Sequence, residues 1–162
     1  MKPEVTFLTS SELQKVLGNS LSEEEEEELR RFRDNVLDFF RGYREALGEL
    51  ENLYGGEWRV FDVNVYVFDG NRPSISSPIL LRKDSVETTV FDAFWMLSKN
   101  LIRGDPADSE MVESGHAKIE SVSLALTVEA LDSVMDEKVF EDVVEASKSE
   151  ATEIKTLRKA DE

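Results

Sequence analysis

Residues 50–70 read LENLYGGEWRVFDVNVYVFDG, and within them the spacing of apolar residues changes from helical to strictly alternating. After Gly55-Gly56, one set of alternate positions holds Trp58, Val60, Asp62, Asn64, Tyr66 and Phe68. The other holds Phe61, Val63, Val65 and Val67. Successive side chains of a strand point to opposite faces, so this segment predicts a strand with the purely apolar set turned to a core. Asp69-Gly70-Asn71-Arg72-Pro73 then has the residue chemistry of a turn. A second strand at about Ile75–Arg82 would complete a hairpin, with Pro78 confined to an edge or a bulge.

Upstream of the glycine pair, apolar residues recur every three or four positions at Leu29, Phe32, Val36, Phe39, Tyr43, Ala46, Leu50 and Leu53. Phe40, Leu47 and Tyr54 widen the stripe, and Ser22 with Glu25 offers a capping box at its start. The spacing predicts one long amphipathic helix near the N-terminus, over residues 22–54. Before it, Val5–Leu8 predicts a short strand. Thr9 and Glu12 cap a short helix whose apolar side is Leu13, Val16 and Leu17, ending at Gly18-Asn19.

Downstream, Asp84 and Glu87 open another helix carrying Val86, Val90, Ala93, Phe94, Leu97 and Leu101, extended by Phe91, Trp95 and Ile102. Gly104 and Pro106 stop it. An acidic loop follows over Asp105–Gly115. Alternation of Val122, Leu124, Leu126 and Val128 with Ser121, Ser123, Ala125 and Thr127 predicts a strand at Lys118–Val128. A helical period returns from about Asp132 to Ser147. The fold class expected is α+β: a small, mainly antiparallel sheet covered by helices. Residues 1–148 would form one domain, and 149–162 a charged, frayed tail. The order helix, helix, hairpin, helix, strand, helix is similar to that of roadblock-type dimerisation domains and of acidic secretion chaperones, which implies protein binding.

Composition narrows the chemistry. The net charge is −16, with 40% hydrophobic and 33% charged residues, too much apolar material for an acidic disordered chain. Such a field repels phosphate backbones and anionic lipid, so neither nucleic acid nor membrane is an expected partner. There is no cysteine, which excludes disulfides, thiol catalysis and thiolate metal sites. No signal peptide or apolar run of membrane-spanning length is visible, so a cytoplasmic location is expected. No cofactor motif is present either: Gly55-Gly56 follows a helix and precedes a strand, the reverse of a phosphate-binding loop.

Several charged groups have ordinary explanations. The run Glu23–Glu28 lies where a helix dipole favours negative charge and can pair, Glu26 with Arg30 and Glu27 with Arg31. Arg30, Arg31, Arg33, Arg41 and Arg44 alternate with acidic residues as surface ion pairs do. His116, the single histidine, cannot build a multi-imidazole site, and Ser114 is too near in sequence to make a natural catalytic partner. Asp105, Asp108 and Glu110 lack a calcium-loop pattern.

Two functions remain. The first is a non-enzymatic acidic interaction protein, a homodimer that binds another protein through its aromatic helix and sheet. Its interface would be the aromatic residues Phe32, Phe39, Phe40, Tyr43, Phe91 and Trp95. The alternative is a small hydrolase in which Asp62, Asp69 and Asp108 hold a divalent metal.

Overall fold

The computed structural model describes residues 2–103 and 116–147. The acidic loop at Asp105–Gly115 and the tail at 149–162 lie outside them. In chain order the elements are β1 (Glu4–Leu8), α1 (Ser11–Leu17), α2 (Glu23–Gly42), α3 (Ala46–Tyr54), β2 (Asp62–Phe68), β3 (Ile75–Ser76), β4 (Ile79–Arg82), α4 (Val86–Arg103) and α5 (His116–Val134). A last helix, α6, covers residues 137–147. The class is α+β, but this order departs from the one expected, so the likeness in element order to dimerisation domains and secretion chaperones lapses.

The sheet corrects the expected topology. Its order is β1-β2-β4-β3, with β1, β2 and β4 parallel and only the short β3 antiparallel to β4. Of the strand expected from Glu57 to Phe68, only Asp62–Phe68 forms, and Phe61, expected on the core face, is exposed; the turn after it is where its residues placed it. The chain then passes β4's place, descends as Ile75–Ser76, and turns through the cis Ser77–Pro78 peptide into β4. Pro78 therefore sits in the turn, where a missing N–H costs no ladder bond. Alternation assigns faces to a strand. It carries no information about which neighbour it takes or in which direction, so a mainly antiparallel sheet was the wrong inference.

The single helix expected over residues 22–54 is two helices. α2 opens with the Ser22–Glu25 capping box. Over residues 43–48 the chain tightens into bonds three residues back: Ala46 N–H to Tyr43 O, Leu47 N–H to Arg44 O and Gly48 N–H to Glu45 O, each 3.0 Å. A turn at about 3.0 residues per revolution in place of 3.6 shifts the phase of the stripe. The fully buried line becomes Leu29, Val36 and Phe40 on α2 and Ala46, Leu47 and Leu50 on α3. Leu53, expected inside, is 41% exposed. Nor is helix length concentrated near the N-terminus, since α2, α4 and α5 have 20, 18 and 19 residues.

α4 is the centre of the molecule. Every side chain from Thr88 to Lys99 is buried, because the sheet lies on one side and α2, α3 and α5 on the others. Ser85, one residue after the expected Asp84, caps it by accepting from Thr88 N–H at 3.1 Å. Phe94 stacks on Phe40 at 4.6 Å between ring centroids, and Phe40 meets Phe7 edge-on at 5.2 Å, so helix and sheet share one core.

The strand expected at Lys118–Val128 is helix α5, and His116 opens that helix, not a strand. At 100° per residue, Val122 and Leu126 fall on one flank, and Leu124 and Val128 on another. Glu120, Ser123 and Thr127 lie in the seam between them. That seam, not the apolar flanks, faces α4 and is fully buried. Its polar groups bond across: Trp95 Nε1–H donates to Ser123 Oγ at 2.9 Å, and Ser98 Oγ lies 3.1 Å from Thr127 Oγ1. Lys99 on α4 and Glu120 on α5 form a buried ion pair.

α1 also departs from expectation, since its buried residue is Gln14, while Val16 is 68% exposed. Gln14 Nε2 donates to the Asp69 carbonyl, and Asp69 N–H donates to Gln14 Oε1 at 2.9 Å. One side-chain amide thus satisfies both backbone groups of the residue after β2. A Cβ on Gly18 would lie 2.6 Å from the same carbonyl, so only glycine lets the end of α1 come this close. Gln14→Ala should lower stability by about 2–3 kcal/mol, the cost of leaving two part-buried backbone groups unpaired. A urea titration with unchanged slope and a reduced midpoint checks this.

Candidate functional site

A cleft of about 430 Å³ opens at the N-terminal end of β2. One wall is Trp58–Val60 and Asp62–Asn64, the top is Ser76–Ile79, and the floor is the last turn of α4 with Asn100, Leu101 and Arg103. Trp58 anchors the first wall, since its indole is buried and its Nε1–H donates to Leu47 O at 3.0 Å. Asn100 ties floor to top, its Nδ2 donating to Ser76 O at 2.7 Å and to Met96 O at 2.9 Å. Arg103 Nη1 donates to Ser76 Oγ. The cleft is thus braced by bonds between elements distant in sequence, and its shape is set before anything binds.

Its chemistry is that of a binding surface. The lining combines the apolar side chains of Trp58, Val60, Val63, Pro78, Ile79 and Leu101 with the polar residues Arg59, Asp62, Asn64, Ser76, Ser77, Asn100 and Arg103. Val60 and Phe61 are 45% and 69% exposed, and Ile75, next to Ser76, is 42% exposed. Of the five large apolar side chains exposed among the described residues, Val60 lines the cleft, and Phe61 and Ile75 are next in sequence to residues that do. Asp62 is its only carboxylate among the lining residues, so it cannot supply the paired acid and base of a hydrolase alone.

The residues singled out from sequence are distributed differently. Asp62 and Asp69 stand at opposite ends of β2, about 23 Å apart at roughly 3.3 Å per residue, so they cannot share a cation. Asp108 lies outside the described residues. Among those residues, no group of three or more His, Asp or Glu is placed to hold a metal ion. Of the six aromatics, Phe40, Phe91 and Trp95 are buried in the chain's own core, whereas Phe32, Phe39 and Tyr43 are half-buried at its edge. Phe39 and Tyr43 pack on each other at 5.4 Å, and Lys83 Nζ lies 5.6 Å from the Phe32 ring centre.

The acidic run and the arginines are occupied with local work. Ser22 backbone and side-chain hydrogen bonds hold the Glu25 carboxyl below its ordinary value, and the bond from Arg30 does the same for Glu27. Glu27 pairs with both Arg30 and Arg31, at 2.8 and 3.7 Å, and Glu26 instead accepts from Ser11 Oγ at 2.9 Å. Arg33 pairs with Asp34 and Arg44 with Glu4.

Sequence reading found the polar residues Asp62 and Asn64 but not the cleft, whose other walls are brought there only by the unforeseen β3–β4 turn and the end of α4. Exposed Val60 and Phe61, both in a strand expected to bury its apolar set, were the available signal. Comparison with known proteins gives no matching family model, no matching curated protein and no matching solved structure. Among the described residues, no helix is long and apolar enough to cross a membrane.

Proposed function

We propose that this chain is a non-enzymatic protein-binding module, and that the cleft at the start of β2 is where its partner docks. The observation that carries this reading is a braced concavity walled by Trp58, Val60, Val63, Pro78, Ile79 and Leu101, with Val60 45% exposed on its wall. Exposed apolar side chains scattered singly are ordinary, but a formed cleft with apolar walls and a few convergent polar groups marks an interaction site. The aromatic stripe of α2 supports an interface less well, because half of the residues that suggested it are consumed by packing. For the metal-dependent hydrolase, no second carboxylate among the described residues lines the cleft with Asp62.

A test needs no known partner. A random heptapeptide library displayed on phage, selected against the immobilised chain, should yield binders. Val60→Asp should weaken the best of them at least tenfold while leaving the far-ultraviolet circular dichroism spectrum unchanged, since Val60 lies at the surface. No enrichment over bare support, or equal binding to the variant, would contradict the proposal. Self-association through the same surface would register as a dimer in sedimentation equilibrium, split by Val60→Asp.

A further inference from the structure

The cleft occupies a row of the sheet that β4 leaves half empty. β1 pairs with β2 from Asp62 to Tyr66, but β4 joins β2 only from Val65, opposite Ile79. Below that point, among the described residues, no strand lies on the β4 side of β2. The lining agrees, since Asp62, Val63 and Asn64 all contribute. A pocket on one face of a sheet meets alternate residues of a strand, whereas one at an open edge or end meets consecutive ones.

The direction of the backbone groups follows from two hydrogen bonds. Phe61 O accepts from Glu4 N–H at 2.7 Å and so points to β1, whereas Phe68 O accepts from Lys83 N–H at 2.8 Å and points to the β4 side. A residue's N–H and C=O share a side, and the side alternates along a strand. Even-numbered residues of β2 therefore present both groups to the β4 row. For Asp62 no residue of β4 stands opposite. Along Asp62–Asn64 the open edge is about 10 Å long, room for three extended residues. Arg59 and Arg103 flank the gap, each held in place by contacts within the chain. Among the described lining residues these two arginines stand against the single carboxylate of Asp62, a balance that suits an acidic side chain on the occupant.

Resting on the protein-binding reading, we infer that the partner enters as an extended segment that fills the empty half of the β4 row. It bonds to the backbone of Asp62 and carries an apolar residue next to an acidic one. Strand addition of this kind takes affinity from main-chain bonds and selectivity from side-chain pockets.

The probe is the tightest heptapeptide from the selection, methylated at one backbone nitrogen at a time, with binding measured by calorimetry. Strand addition predicts about a tenfold loss at a single position and little change at the others: the residue facing Asp62 if the segment runs antiparallel to β2, the residue after it if it runs parallel, as β4 does. Asp62→Pro removes the N–H that faces the gap while sparing the β1 ladder, which uses the odd residues, and should abolish binding. Asp62→Ala should retain it. Replacing the peptide's acidic residue by its amide should weaken binding severalfold. If Val60→Asp abolishes binding but methylation has uniform, small effects, the strand mode is wrong and the docking site stands. If no peptide binds, both fall. Should Asp62→Pro fail to fold, the methylation scan decides alone.

Discussion

Lys99→Met is expected to destabilise the protein by about 3–5 kcal/mol, more than its size and position on a helix would suggest. Lys99 and Glu120 are 3% and 5% exposed, and they pair between α4 and α5 with Lys99 Nζ 4.4 Å from the centre of the Trp95 ring. Taking away the ammonium leaves a carboxylate in a place from which water is excluded, and that desolvation cost is what the experiment reads. The pair itself adds little net stability, because both ions were brought out of water to make it. The double variant Lys99→Met/Glu120→Leu should therefore recover most of the loss, or exceed the parent. Chemical denaturation of the two single variants and the double variant checks this. Equal damage in the double variant would mean that the pair is favourable in itself and not merely satisfied.

Trp95→Ala is the second large effect, at about 3–5 kcal/mol. The ring is 1% exposed, its Nε1–H donates to Ser123 Oγ, and its face meets Lys99, so truncation opens a cavity and removes a buried hydrogen bond together. Phe61→Ala, an aromatic truncation at a 69% exposed site, should stay within about 0.5 kcal/mol of the parent. The contrast separates core from surface aromatics. Because Trp95 and Lys99 touch, their variants should not be additive, and a double-mutant cycle should show coupling.

Local features were legible in the sequence and neighbours were not. The Ser22–Glu25 box, the strand ending at Phe68 and the buried character of α4 follow from spacing within a few residues. Direction of pairing does not, because β2 looks the same whether β4 runs with it or against it. Residues 118–128 misled for a specific reason. Alternating Val and Leu mark one face of a strand, but in a helix they form two flanks on either side of a seam. Here the seam is polar yet buried, since Trp95, Ser98 and Lys99 on α4 supply its partners. Pattern reading assumes that the buried face is the apolar one. α5 breaks that assumption, and no residue within α5 itself announces it.

The cleft illustrates the same limit. Asp62 and Asn64 attracted notice as polar residues on a strand, and both do line the cavity. Their significance there comes from the absence of β4 beside them, which depends on the chain turning at Ser77–Pro78 three residues above the start of β2. The aromatic residues erred in the opposite direction. Phe40, Phe91 and Trp95 are prominent in sequence and are spent on the core.

Amide hydrogen–deuterium exchange with and without the selected heptapeptide tests the docking site most directly. Protection should appear in residues 58–64, 76–79 and 100–103 and leave the rest of the chain unchanged. Protection confined to α2 around Phe32, Phe39 and Tyr43, or to the shallow groove that Leu53 of α3 forms with Val122 and Leu126 of α5, would place binding elsewhere and contradict it.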